Sequence, residues 1–170
     1  SGLLLFGCSM LYGFTGVTNF EDLTKIFTNL GILNNSTLYN YPVDINVLSN
    51  SSITTSGILV GVTFILVAFL FKLTVVPFHM WAPDVYEGSP TPVTAFFSIT
   101  PKIALLAIFL RLFFMTFYDL IQPWQQILIF CAAFTIILAT FAALYQKKLK
   151  RLLIFSSIGH VGFMLIAFST

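Results

Sequence analysis

The sequence predicts an all-α, polytopic transmembrane helical bundle of about five spans, one of them broken. Three observations carry that prediction. The 170 residues are 58% hydrophobic and only 8% charged, with a mean hydropathy of +0.95, where soluble domains carry roughly 25% charged residues. Four long apolar segments run over about 56–83, 91–117, 123–146 and 152–169, each close to the ~20 residues that cross a hydrocarbon core. Pro77 and Pro83 interrupt the first of them, and broken backbone at membrane depth survives only where protein or water re-satisfies it.

Taken in order, residues 1–13 are apolar and read as the end of one span whose start lies upstream; no basic stretch, short apolar core and cleavage site mark them as a signal peptide. Thr18 or Asn19 can cap an amphipathic helix over 19–30, with Phe20, Leu23, Ile26, Phe27 and Leu30 on one face and Glu21, Asp22 and Lys25 on the other. Such a helix is expected along the membrane surface. Residues 31–55 are rich in Asn, Ser and Thr without a basic residue and are expected as an aqueous loop. Its Asn-x-Ser/Thr triplets at Asn34, Asn35 and Asn50 match a glycosylation acceptor pattern that arises readily by chance in such composition. The remainder, 56–170, supplies four spans, the last truncated at the abrupt C-terminus, so the chain reads as a piece of something larger.

Orientation follows from Lys147, Lys148, Lys150 and Arg151 in one short connection, which positive-inside bias assigns to the cytoplasmic or matrix side. Alternation then puts Asp84 and Glu87 on that side, Asp119 opposite, and the 31–55 loop outside. A net charge of +2 with scattered charges argues against a nucleic-acid partner. Cys8 and Cys131 lie alone in apolar segments, without metal-ligand spacing, as packing thiols do. Nothing resembles a phosphate loop, a dinucleotide fingerprint, a metal cluster or a nucleophile triad, so neither nicotinamide nor flavin is expected here.

The chemistry concentrates in two lysines. Lys72 stands mid-segment, and an ammonium at that depth needs a polar partner, a wet cavity or a changed protonation state. Pro77 clashes with the carbonyl of Leu73 and leaves it without a helical donor, placing the break beside the lysine; Pro83 adds a stop, so 78–83 is expected as a short half-helix. Broken helices beside ionisable groups recur at membrane ion sites. Lys102 repeats the arrangement: Pro101 frees the carbonyl of Phe97, Ser98 and Thr100 add hydroxyls, and the rise from Pro92 is about 15 Å, again near mid-membrane. Two such lysines could exchange a proton through side-chain rotation and water. The plain alternative is a lysine that pairs with an acidic residue for assembly, or snorkels to the interface as Arg111 is expected to do. His79, two turns beyond Lys72, could share its face or be a hydrogen-bonded structural histidine. His160, between Gly159 and Gly162, could line a polar path or serve packing. For Asp84 and Glu87, pairing with basic residues is the expectation.

The run Phe71-Lys72-Leu73-Thr74-Val75-Val76-Pro77-Phe78-His79-Met80-Trp81-Ala82-Pro83-Asp84-Val85-Tyr86-Glu87-Gly88-Ser89-Pro90-Thr91-Pro92-Val93, then Pro101-Lys102-Ile103, Lys148-Leu149-Lys150-Arg151-Leu152-Leu153 and Ser156-Ser157-Ile158-Gly159-His160-Val161-Gly162 closely resembles the subunit 2 family among the antiporter-like subunits of proton-pumping NADH:ubiquinone oxidoreductase, respiratory complex I. The resemblance extends to Ser1–Gly7 and covers nearly everything except the 31–55 loop. It implies the central part of a larger antiporter-like fold, with residues 1–13 in the sixth span and the later segments in spans seven to ten. It implies proton translocation coupled to NADH oxidation and quinone reduction in other subunits, with Lys72 as the channel lysine and Lys102 as the relay lysine of the next span. The family's glutamate partner of the channel lysine lies upstream, and its distal basic residue downstream, of this chain. NADH, FMN, iron–sulfur clusters and ubiquinone would be handled by other subunits, leaving no redox site, cofactor or metal here. The partners implied are other membrane-arm subunits, segments supplying the missing helices, and the lipid bilayer. The implied location is the mitochondrial inner membrane, with bacterial plasma membrane and chloroplast thylakoid as alternatives. Two other readings compete: a related multi-subunit cation/proton antiporter, and a structural membrane scaffold with inert lysines.

Overall fold

The computed structural model describes the backbone of residues 2–35 and 45–169, and the side chains of 2–27, 56–118, 120 and 124–169. Seven α-helices carry the described chain: α1 (Gly2–Thr15), α2 (Phe20–Asn35), α3 (Ile45–Lys72), α4 (Trp81–Gly88), α5 (Thr91–Leu110), α6 (Ile121–Leu144) and α7 (Leu149–Ser169). A π-helical segment, Arg111–Thr116, and a 3-10 turn, Tyr118–Leu120, join α5 to α6. No strand occurs among the described residues. Among the described residues three stretches are long and apolar enough to cross a membrane, Thr91–Thr116, Trp124–Leu144 and Leu149–Ser169; a fourth results if the bent pair Gly2–Thr15 and Phe20–Phe27 counts as one span. The described part of a further apolar helix, Ser56–Lys72, belongs to the 28-residue α3 (Ile45–Lys72).

The chain divides into two compact units. The first comprises residues 1–68 and 111–124. Here α1 ends where Gly16 adopts φ +70°, its N–H donating to Tyr12 O at 2.8 Å, a left-handed helix stop that glycine accommodates without strain. The chain then bends 62° into α2. Small residues bring α1 and α3 together: a Cβ on Gly7 would lie 2.9 Å from the carbonyl oxygen of Gly61, and one on Gly57 would strike the Phe14 ring. Glycines four apart, Gly57 and Gly61, make such a close approach in the way small-residue motifs do between membrane helices. The buried Phe27, Phe113, Phe117 and Trp124 pack edge-on or tilted, and the Trp124 indole donates to Phe117 O at 3.2 Å. Of the expected apolar face of α2, Leu23 and Phe27 are buried but Phe20 is exposed; Leu30 lies outside the described side chains.

The second unit comprises residues 69–110 and 125–170. Its core cluster joins Ala82 and Tyr86 of α4 to Ala139 of α6 and Ile154, Phe155 and Ile158 of α7, with Trp81 against it. Gly162 of α7 lets the helix approach α6 so closely that a Cβ there would lie 2.8 Å from Ile136 Cγ1.

Two expectations are corrected. The polar stretch 31–55 is helical at both ends, 31–35 closing α2 and 45–55 opening α3, because Asn, Ser and Thr weaken a helix only mildly where flanking apolar turns propagate it. Residues 36–44, and with them parts of the acceptor triplets at Asn34 and Asn35, lie outside the described residues, as does the side chain of Asp119. The half-helix expected over 78–83 is instead α4, starting at Trp81 and continuing to Gly88. Pro83 does not stop it, since it sits in the first turn, where a missing N–H costs no helical hydrogen bond.

Candidate functional site

The break expected beside Lys72 is present. Helix α3 ends at Lys72, and a turn-rich connection leads to α4. Thr74 holds φ +62°, the left-handed region that costs a β-branched residue on the order of 1–2 kcal/mol. The freed groups are met locally and from α6. The Thr74 hydroxyl donates to Leu73 O at 2.6 Å, the carbonyl that Pro77 leaves without a helical donor. Val75 N–H reaches back to Leu70 O at 3.0 Å. Val76 N–H donates to Thr135 Oγ1 at 3.1 Å, and that fully buried hydroxyl donates in turn to Cys131 O at 2.5 Å. Thr135 thus staples the broken segment to α6. The Lys72 side chain is exposed on this chain, and among the described residues no carboxylate is ion-paired to it.

Lys102 is buried, only 9% exposed. Its ammonium Nζ donates to Ser157 Oγ of α7 at 3.0 Å, while the Ser157 hydroxyl donates to Ile154 O at 2.9 Å. Helix α5 runs on through Pro101. The Phe97 carbonyl, which the proline ring deprives of its donor, accepts a long hydrogen bond from the Tyr86 hydroxyl at 3.4 Å. Of the hydroxyls expected near Lys102, Ser98 donates to Ala95 O of its own helix, and Thr100 is exposed. Sequence reasoning missed Ser157 as the partner, although it stands in the quoted Ser156-Ser157-Ile158-Gly159-His160 run. A groove of about 290 Å³ between α5 and α7 is lined by Thr91, Thr94, Ser98 and Ser157, with Lys150 among its walls.

His79 lies in the connection before α4, half-buried, and its Nδ1 is buried without a hydrogen-bond partner among the described residues. His160 is exposed and lines a second groove, of about 480 Å³, together with Thr140 and Gln146 of the α6 end and Ser156 of α7. Among the described residues none of Lys72, Lys102, His79 and His160 is hydrogen-bonded or ion-paired to another.

Asp84 and Glu87 pair with basic residues, as expected. Glu87 accepts from Lys148 Nζ and Arg151 Nε, and Arg151 Nη2 lies 2.7 Å from Asp84 Oδ1. Lys150 Nζ donates to Ser89 O at 3.3 Å. The hydrogen bonds from Lys148 and then Arg151 hold the Glu87 carboxyl below the usual carboxylate range. These contacts tie α4 to the start of α7, so both acidic residues stand at the same end of the unit as the basic connection.

The second unit thus holds a buried lysine on one apolar helix, a serine on another as its partner, and a stapled helix break carrying a second lysine. The chain matches, over residues 1–170, the family described as "NADH:quinone oxidoreductase/Mrp antiporter, TM". It is 59% identical over 99% of its length to NADH-ubiquinone oxidoreductase chain 2 of Marchantia polymorpha, and 45% identical over 98% to NADH-quinone oxidoreductase subunit N of Paramagnetospirillum magneticum. It spans 31% of the length of each of these relatives. Among solved structures it resembles a chain of respiratory complex I from Thermus thermophilus with bound aureothin, with a TM-score of 0.64 and 29% identity over 98% of this chain and 30% of that one. A chain of the Mrp complex from Dietzia sp. shares the fold, with a TM-score of 0.75 at 19% identity, covering 99% of this chain and 27% of that one. The chain belongs to the transmembrane subunit family of NADH:quinone oxidoreductase and Mrp antiporters.

Proposed function

We propose that this chain is the central part of an antiporter-like subunit of NADH:ubiquinone oxidoreductase and translocates protons across the membrane. In this reading it forms part of an enzyme complex whose NADH oxidation and quinone reduction take place in other subunits. The observation that carries the reading is Lys102: a buried ammonium on an apolar helix, held by one serine hydroxyl. A charge so placed is costly unless it serves conduction or assembly, and no carboxylate neutralises it among the described residues. Lys72, at the break, gives up and regains a proton as a carboxylate on an upstream segment of the subunit approaches and withdraws. Lys102 receives or delivers that proton. His79, with an unpartnered ring nitrogen beside the break, and His160, on the wall of its groove, extend the path on either side.

Proton movement by this route breaks and forms only N–H and O–H bonds, so no electron carrier is required on this chain. The partners are the other membrane-arm subunits and the segments carrying the remaining helices. The mitochondrial inner membrane is the location supported by the 59% identity to a ubiquinone-named plant chain, with a bacterial or thylakoid membrane as the alternative.

The test is Lys72→Ala in the assembled complex, with NADH oxidation and proton uptake into vesicles measured together. Assembly is expected to persist while protons moved per NADH fall. Unchanged pumping would favour a scaffold with inert lysines. Sodium-dependent transport without NADH oxidation would favour the cation/proton antiporter reading, for which the shared fold with the Mrp chain is the supporting observation.

A further inference from the structure

We propose that Ser157, a wall residue of the α5–α7 groove, is the positioning residue for proton exchange at Lys102. The inference rests on the proton-translocating reading of Lys102. Three observations converge on this serine. Its Oγ is the acceptor for Lys102 Nζ at 3.0 Å. The same hydroxyl donates to Ile154 O at 2.9 Å, so its own proton is parked on a backbone carbonyl. Ser157 is also a wall residue of the groove of about 290 Å³, whose remaining hydroxyls, Thr91, Thr94 and Ser98, climb one face of α5 at helical spacing.

A hydroxyl can serve both protonation states of an amine, because it is one donor and two acceptors. With Lys102 charged, the serine oxygen accepts from the ammonium and its proton stays on Ile154 O, which is the arrangement observed. When the ammonium gives one proton to a water molecule, the nitrogen becomes a lone-pair acceptor. The Ser157 O–H then rotates from Ile154 O to that lone pair. One N–H bond breaks, one O–H bond forms on water, and the serine keeps its own proton throughout. The amine therefore stays fixed in place in either state. Without the hydroxyl, the long lysine stem is free to swing and the charged form loses its partner at depth.

The experiment uses the assembled complex in vesicles and compares Ser157→Ala, Ser157→Thr, Ser157→Val as the isostere of the threonine variant, and Lys102→Ala, reading protons moved per NADH oxidised beside the amount of assembled complex. Expected are a loss of pumping per NADH in the alanine and valine variants toward the Lys102→Ala level, and near wild-type pumping in the threonine variant. Equal pumping in the threonine and valine variants, with Lys102→Ala impaired, overturns the role of Ser157 alone. Normal pumping in Lys102→Ala overturns the reading on which it rests. Loss of assembly in the alanine and valine variants, with threonine intact, assigns the hydroxyl a structural task and also overturns the proposal.

Discussion

Thr135 shows at the residue scale how much of a membrane site depends on a single side chain from another helix. Its buried hydroxyl meets Val76 N–H at the break, and removing it leaves a backbone donor unsatisfied in an apolar surrounding. Thr135→Val, which keeps the shape, is expected to destabilise the unit by about 1–3 kcal/mol, whereas Thr135→Ser retains the bond. Thermal melting of the assembled complex carrying each variant checks this; equal melting of the two would remove the staple from the account. The two lysines and the prolines beside them were legible because each is an exception within an apolar run. Their partners were not. Ser157 lies 55 residues from Lys102, and Thr135 lies 59 residues from Val76. Nothing in either helix's own sequence says which of its hydroxyls will face the other. Ser98 and Thr100, the neighbours in sequence, were the natural expectation, but Ser98 bonds within its own turn and Thr100 points away from the core.

Helix contacts depend on small residues and on one charged cluster. A Cβ at Gly7 would lie 2.9 Å from Gly61 O and 2.7 Å from Ile65 Cγ1, whereas one at Gly13 meets nothing within 4 Å. Gly7→Ala is therefore expected to cost about 1–3 kcal/mol through overpacking. Gly13→Ala, in open space on the same helix, should be neutral or gain up to ~1 kcal/mol from helix propensity. Melting temperatures of the two variants should move in opposite directions, or the first down with the second unmoved. The α4–α7 tie carries a pH signature. Lys148 and Arg151 depress the folded-state pKa of Glu87, so its contribution is full above the ordinary carboxylate pKa of about 4.3 and is lost as pH falls through the lowered value. The stability difference between the native chain and Glu87→Gln should accordingly stay level from pH 7 to about 5 and shrink only in stronger acid. A difference that already collapses near neutrality would point to another group. The basic connection and its acidic partners were legible as a turn and its complement. The start of α4 at Trp81 was not, because a proline reads alike as a helix stop and as a first-turn residue until the surrounding backbone is known.

For the chain as a whole, composition alone was enough to read a membrane protein, since 8% charge leaves little polar surface for water, and the long apolar segments made it a helical one. The helical ends of the polar 31–55 stretch were less legible: polarity marks solvent contact more firmly than it marks backbone conformation.

The central claim is that Lys72 and Lys102 work by changing protonation, beyond merely bearing charge. Arginine separates the two, since a guanidinium keeps the positive charge and does not release its proton in a protein. Protons moved per NADH should be measured for Lys72→Arg and Lys102→Arg in fully assembled complex, beside the corresponding alanine variants. The account predicts that each arginine variant pumps as poorly as its alanine counterpart. Arginine variants that pump like the native protein would contradict it, leaving the two lysines as fixed charges.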